Sequence, residues 1–291
     1  MLKSIVIVTI AVTRLSGIEA AYENYLGYDT VERGAVSADL AELWGAPASA
    51  GKPYLLLQPE SGQNVYLRFV EGPPVDGYAP MTTHGWNATE ILVKDPDAIA
   101  ARLEDSPFEI IGPPKDLWDA PDAPRATQAI GPGNELLYLT RNNDFEILTD
   151  VDRVFIMVLA GPSMPAMQNF YGGVFGLEVG DATPFQIGVV SRAQGLPADT
   201  DYPLAVARLA SRFLIELDEY TPASKARPVD QGSIPPGISM VSFAVDELDE
   251  FNVKWRGEPR AIALTPYDGH EAAVLSGPAG EWIELIEMSV E

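Results

Sequence analysis

Four kinds of side chain in this 291-residue chain could move protons or hold ions: histidine, carboxylate, tyrosine and arginine. Cysteine is absent, which excludes thiolate nucleophiles, disulfides and cysteine-rich zinc sites. Histidine occurs only twice. His270, in TPYDGHEAAVL, sits in a turn ahead of a strand. With Tyr267 and Glu284 it could form an acid–base set, because imidazole titrates near neutral pH. His84, in MTTHGW, falls in a linker. Strand alternation puts Tyr66 and Arg68 on one face, and Trp282 and Glu284 on one face of another strand. Such pairs suit an apolar or aromatic ligand stacked above a polar anchor, and Tyr54, Trp86 and Tyr138 extend the set. No glycine-rich phosphate loop, Ser-His-Asp arrangement or haem motif stands out.

Composition narrows the partners. The chain is 46% hydrophobic and 21% charged, which describes a globular protein long enough to bury a large core. Lys and Arg number 19 against 42 Asp and Glu, a net charge of −23 that repels phosphate backbones and anionic membranes. A small-molecule substrate or ligand is therefore expected, with neither nucleic acid nor membrane as partner. Lys3 with SIVIVTIAV (residues 4–12) is short and β-branched, and reads as a buried strand rather than a signal peptide. A cytoplasmic location follows by default.

The elements that must position these groups recur. SIVIVTIAVTRL (4–15) is a strand leading into a helix whose face carries Ile18, Ala21, Tyr22, Tyr25 and Leu26. Ser16 is placed to cap that helix and Gly27 to end it. The pattern returns in VDRVFIMVLAGP (151–162), with a helix through Met167, Phe170 and Tyr171. NATEILVKDPDAIAARL (87–103) and ISMVSFAVDELDEFNVKW (238–255) form a second pair, each a strand, an Asp turn and a short helix. Four alternating strands close the units, at 65–70, 136–140, 213–218 and 282–287. Pro- and Gly-bearing linkers at 71–80 and 220–237, and the polar 141–150, separate them.

FYGGVFGLEVG (170–180) and GPAGEWIELIE (277–287) carry a resemblance to the vicinal oxygen chelate superfamily of glyoxalases, extradiol dioxygenases and bleomycin-binding proteins. That resemblance implies an α+β fold of four βαβββ modules paired into two half-barrels around cavities. Pairing of sequence neighbours gives glyoxalase-like domains at 1–146 (modules 1–75 and 84–143) and 147–291 (modules 150–222 and 237–291). Pairing of unit one with four, and two with three, is the alternative. Family metal ligands sit on the first and last strands of each unit. Here those positions carry Ile7, Ala88, Arg153 and Met240, then Arg68, Tyr138, Glu216 and Glu284, with Glu90 adjacent. No His is supplied and two sites hold arginine, which repels a cation, so neither metal nor other cofactor is expected.

Two functions follow from the resemblance. One is a metal-independent lyase, isomerase or hydrolase acting on a small aromatic or enolisable compound. Its proton carriers would be Glu216, Glu284, Tyr138 and His270, its anion stabilisers Arg68 and Arg153, and its substrate contacts Tyr54, Tyr66, Trp86, Tyr267 and Trp282. The other is a binding protein that sequesters a hydrophobic compound or antibiotic. A divalent-metal glyoxalase or dioxygenase ranks third. An even number of units can close both barrels within one chain, so a monomer or a homodimer is expected.

Overall fold

β-Branched and aromatic residues at period two form most of the elements, and helices appear where the apolar period lengthens to three or four. The computed structural model describes residues 1–288. Unit one runs β1 (Ile5–Val12), α1 (Ile18–Leu26), β2 (Tyr28–Ala35), α2 (Ala38–Leu43), β3 (Pro53–Pro59) and β4 (Tyr66–Glu71). Unit two runs β5 (Gly85–Val93), α3 (Pro96–Leu103), β6 (Glu109–Asp116), β7 (Arg125–Ile130) and β8 (Leu136–Arg141). In unit three come β9 (Val151–Gly161), α4 (Met164–Phe175), β10 (Glu178–Val179), β11 (Thr183–Gln186), α5 (Gly188–Ala193), β12 (Asp201–Arg208) and β13 (Leu214–Glu219). Unit four has β14 (Gly237–Val245), β15 (Arg260–Ala261), β16 (Glu271–Ser276) and β17 (Trp282–Glu287).

Two local expectations are corrected. Gly17, at φ 89°, caps α1 in place of Ser16, while Gly27 ends it at φ 61° as expected. In unit four the expected helix shrinks to a single 3₁₀ turn at Leu248–Glu250. The chain beyond that turn is irregular and packs Val253 and Trp255 on the core.

The sheets settle the pairing. One has the order β15-β16-β17-β14-β1-β4-β3-β2, and the other β10-β12-β13-β9-β5-β8-β7-β6, with β11 added on β12. Unit one pairs with four through antiparallel β1 and β14, and unit two with three through β5 and β9. The expected division at 146/147 therefore does not separate two half-barrels, because each sequence half gives one unit to each sheet. A single apolar core joins both sheets to α1, α3 and α4, with Trp86 of β5 against Phe243 of β14 at 6.1 Å between ring centroids.

Sequence neighbours are tied differently, by a turn that the chain uses twice. GPGNE (131–135) and GPAGE (277–281) each bury a glutamate under a tyrosine of the preceding unit's helix. The Tyr22 hydroxyl donates to Glu135 at 2.6 Å, and that of Tyr171 to Glu281 at 3.0 Å. Glycine is required at the turns, since a Cβ on Gly131 or Gly277 would fall 1.8 or 1.9 Å from the carboxylate.

Candidate active site

Equivalent strands of the two sheets hold different chemistry. In the first sheet Arg68 of β4 and Glu284 of β17 are buried, and their nearest charged atoms stand 3.6 Å apart. Arg68 donates through Nε and Nη2 to the Thr9 hydroxyl at 3.1 and 2.8 Å, and through Nη1 to the Tyr267 hydroxyl at 2.8 Å. Tyr267 in turn donates to Glu284 at 2.8 Å, Trp44 does so through Nε1 at 3.0 Å, and Ser242 donates to the other carboxylate oxygen. The indole of Trp44 also covers the guanidinium, 4.8 Å from the ring centroid. Every polar group here has a partner, and Leu40, Leu43, Trp44, Ile262 and Tyr267 pack the space above. This half-barrel is plugged.

Trp44 is what fills it. LWGAPA (43–48) of unit one matches AQGLPA (193–198) of unit three, so Trp44 corresponds to Gln194. The Gln194 amide turns aside, donating to the Met81 carbonyl at 2.9 Å and accepting from Thr221 at 2.9 Å. Without a large ring at that point, the second half-barrel keeps a cavity of about 590 Å³.

Its floor is the face of the second sheet. Glu90 of β5 stands beside Tyr138 of β8, and Val158 of β9 stands beside Glu216 of β13. All but Val158 line the cavity, together with Gln128 and Thr140. Asp218, two residues beyond Glu216 on the same strand face, lies deeper, and neither of its oxygens has a partner. Burial raises the Glu90 carboxyl to about 7 and that of Asp218 to about 8. Glu216 is raised well above the carboxylate range by burial, then by Asp218 and Glu90. Tyr138 is also raised, so its phenol stays protonated. Among the described residues no cation pairs with Glu90, Glu216 or Asp218, and the position that is Arg68 in unit one is Glu216 in unit three. The walls are mainly apolar, with Phe155, Ile187, Val189, Leu204 and Leu214, interrupted by Lys115 and Arg192, and the exposed rings of Trp118 and Phe185 stand at the rim.

The sequence-expected set is thus divided. Glu216 and Tyr138 line the open cavity, while Arg68, Glu284 and Tyr267 form the plug. Trp282 belongs to the same packed cluster, beneath the Arg256 guanidinium at 3.4 Å from the ring centroid. Tyr54 donates to Glu32 beside that cluster. Trp86 faces the inter-sheet core and donates to the Trp282 carbonyl at 2.8 Å. Arg153 is carried out of line by register shifts between β5 and β9 around Ile91 and Val154. It lines a separate groove of about 510 Å³ with Tyr66, its guanidinium 5.3 Å from the Phe213 ring centroid. His270 is exposed in its turn, and the half-buried His84 meets the Ser224 hydroxyl at 2.9 Å. Burial and Arg227 hold His84 below the usual histidine range. Trp44 and Asp218 were missed. Aligning unit one on unit three exposes the first, and alternation from Glu216 the second.

The register also revises the metal positions. The first-strand neighbours of Arg68, Tyr138, Glu216 and Glu284 are Thr9, Glu90, Val158 and Ser242. One sheet therefore offers an arginine–carboxylate pair, and the other two carboxyls and a phenol. Among the described residues no group of three or more His, Cys, Asp or Glu side chains is placed to hold an ion. The donor set does not fit the divalent metal that the sequence resemblance implies.

Comparison with solved structures agrees with the architecture. Glyoxalase I from Zea mays matches over 98% of this chain and 92% of its own, with a TM-score of 0.66 at 14% identity. A putative dioxygenase from Bacillus subtilis matches over 98% of this chain and 85% of its own, with a TM-score of 0.61 at 14% identity. No protein-family model and no curated protein matches the sequence. At such identities the likeness establishes the fold: the chain has the α+β, four-module architecture of these two structures. No helix among the described residues is long and apolar enough to cross a membrane.

Proposed function

We propose that the chain is a metal-independent enzyme of the isomerase or lyase type, acting in the second half-barrel on a small apolar, enolisable carbonyl compound. The observation that carries this reading is an apolar cavity whose floor holds Glu90, raised to about 7, beside a more strongly raised Glu216 and a protonated Tyr138. A carboxylate near 7 is suited to take a proton at neutral pH. A carboxyl kept neutral by its surroundings can instead donate a hydrogen bond, as can a phenol. Glu90 would remove a proton from the carbon next to the carbonyl, leaving an enolate. Glu216 and Tyr138 would donate hydrogen bonds to the enolate oxygen, replacing the arginines that the sequence suggested. Return of the proton to carbon, at the same or a conjugated position, regenerates the Glu90 carboxylate.

The test is hydrogen–deuterium exchange in D₂O, followed by ¹H NMR on a panel of aryl and cyclic ketones. Exchange should rise with pH through about 7 as Glu90 ionises, and fall at higher pH as Glu216 loses its proton. A panel that binds without exchanging at any pH would rule out the enzymatic reading. It would favour a protein that sequesters hydrophobic compounds, the reading supported by the apolar walls alone.

A further inference from the structure

The cavity does not end at its apolar walls. Along β12, Leu204 and Val206 line it, and alternation carries the same face on to Arg208. Arg208 opens into an outer hollow with Arg212, Asp144 and Phe145, and the two spaces share Asn142, Phe155 and Leu214. An apolar stripe therefore runs out to two arginines in a chain of net charge −23. Among the described residues neither arginine forms an ion pair with a carboxylate. Asp144 accepts from Arg212 Nη1 at 2.6 Å through its backbone carbonyl rather than its carboxylate. The Phe145 ring lies 5.7 Å from that guanidinium and packs edge-on against Phe155 of the cavity wall. Backbone is also committed to this placement: Ser211 and Arg212 hold φ of 55° and 63°, left-handed values that non-glycine residues seldom adopt in succession.

We propose that Arg208 and Arg212 form an anion subsite at the mouth, which takes the terminal carboxylate, sulfonate or phosphate of a ligand whose apolar body lies in the cavity. This deepens the reading above and rests on it. The substrate class becomes an apolar carbonyl compound with an anionic tail. The two ends of the site then divide the work. Unpaired arginines meet the charge, and the acidic floor excludes it, so that the ligand enters with one orientation.

Two dyes sharing one aromatic body test this: 8-anilino-1-naphthalenesulfonate and the neutral N-phenyl-1-naphthylamine, titrated by fluorescence. The sulfonate should bind about tenfold tighter, a preference that shrinks as salt is raised. Arg208→Ala/Arg212→Ala should abolish the preference while leaving the neutral dye within twofold, and Arg208→Lys/Arg212→Lys should restore part of it. Equal binding of the two dyes by the unaltered protein, or equal weakening of both in the double variant, overturns the subsite and leaves the cavity reading intact. Failure of both dyes to bind, or binding that survives Leu204→Trp, removes the cavity reading and the subsite together. If the sulfonate preference is found, competition by benzoate and by phenyl phosphate then separates a carboxylate tail from a phosphate one.

Discussion

Replacing Arg68 by methionine separates a structural plug from a second working site. The guanidinium is fully enclosed and lies 3.6 Å from the Glu284 carboxylate. At an effective dielectric of about 20 that separation corresponds to roughly 5 kcal/mol of attraction. Arg68→Met removes it and also strands the Thr9 hydroxyl and one Tyr267 contact. Three donors, from Trp44, Tyr267 and Ser242, still reach the carboxylate and soften the loss. The expected cost is about 3–5 kcal/mol, the range for breaking one side of a buried pair. At roughly 2 °C per kcal/mol for a chain of this size, Tm should fall by about 6–10 °C. Removing both charges in Arg68→Met/Glu284→Gln should recover part of that, because no uncompensated carboxylate is left in the core and the amide still meets Trp44, Tyr267 and Ser242. Urea and thermal melts of the single and double variants measure it, with dye binding in the second half-barrel as the control. A single variant within about 1 kcal/mol of the parent, or a double variant no better than the single, would refute the plug. So would loss of ligand binding without loss of stability.

Trp44→Ala should reopen the first half-barrel at a cost of about 3–5 kcal/mol, and millimolar indole should return part of the Tm. No response to indole would mean that the space collapses. Stability should also fall as pH rises. Burial holds Glu90, Glu135 and Glu281 at about 7 and Asp218 at about 8, above their unfolded values of about 4.3 and 3.9. The folded chain therefore binds more protons, and the stability these groups supply is complete below about pH 4 and is lost as pH rises through 7–8. Glu135→Gln, which keeps an acceptor for Tyr22, should flatten the loss between pH 5 and 8 by on the order of 2–3 kcal/mol. Urea midpoints measured across that range check it, and an unchanged slope would show that Glu135 ionises normally.

Much of the architecture was legible because period and punctuation repeat. Units one to three place an apolar strand, a helix and a closing strand in the same order, unit four keeps only a 3₁₀ turn for the helix, and Gly27 and Gly176 end α1 and α4 with the same left-handed cap. Unit pairing was not legible: β1 presents a suitable apolar edge to either partner, and only long-range packing chooses β14. The site was readable in part for a similar reason. Alternation identifies Arg68, Tyr138, Glu216 and Glu284 on the straight closing strands. It fails at Arg153, where β9 slips in register against β5 and turns the side chain away. Which half-barrel stays open depends on Trp44, a residue outside the strands that carry the family pattern, so a motif search passes over it. The meaning of Arg68 depended on pairing as well. Opposite Glu284 it is half of a neutral, fully bonded pair, whereas Glu216 opposite Tyr138 is left with no cation.

The most direct measurement compares Glu90→Gln with Glu284→Gln in the same exchange assay, on ketones that the parent protein deuterates. If the chemistry belongs to the open second half-barrel, Glu90→Gln should lower the exchange rate by at least a hundredfold while ligand affinity stays within a few-fold. Folded Glu284→Gln should exchange at the parental rate. Loss of exchange in Glu284→Gln, with Glu90→Gln unaffected, would place the chemistry in the half-barrel described here as plugged and contradict the account.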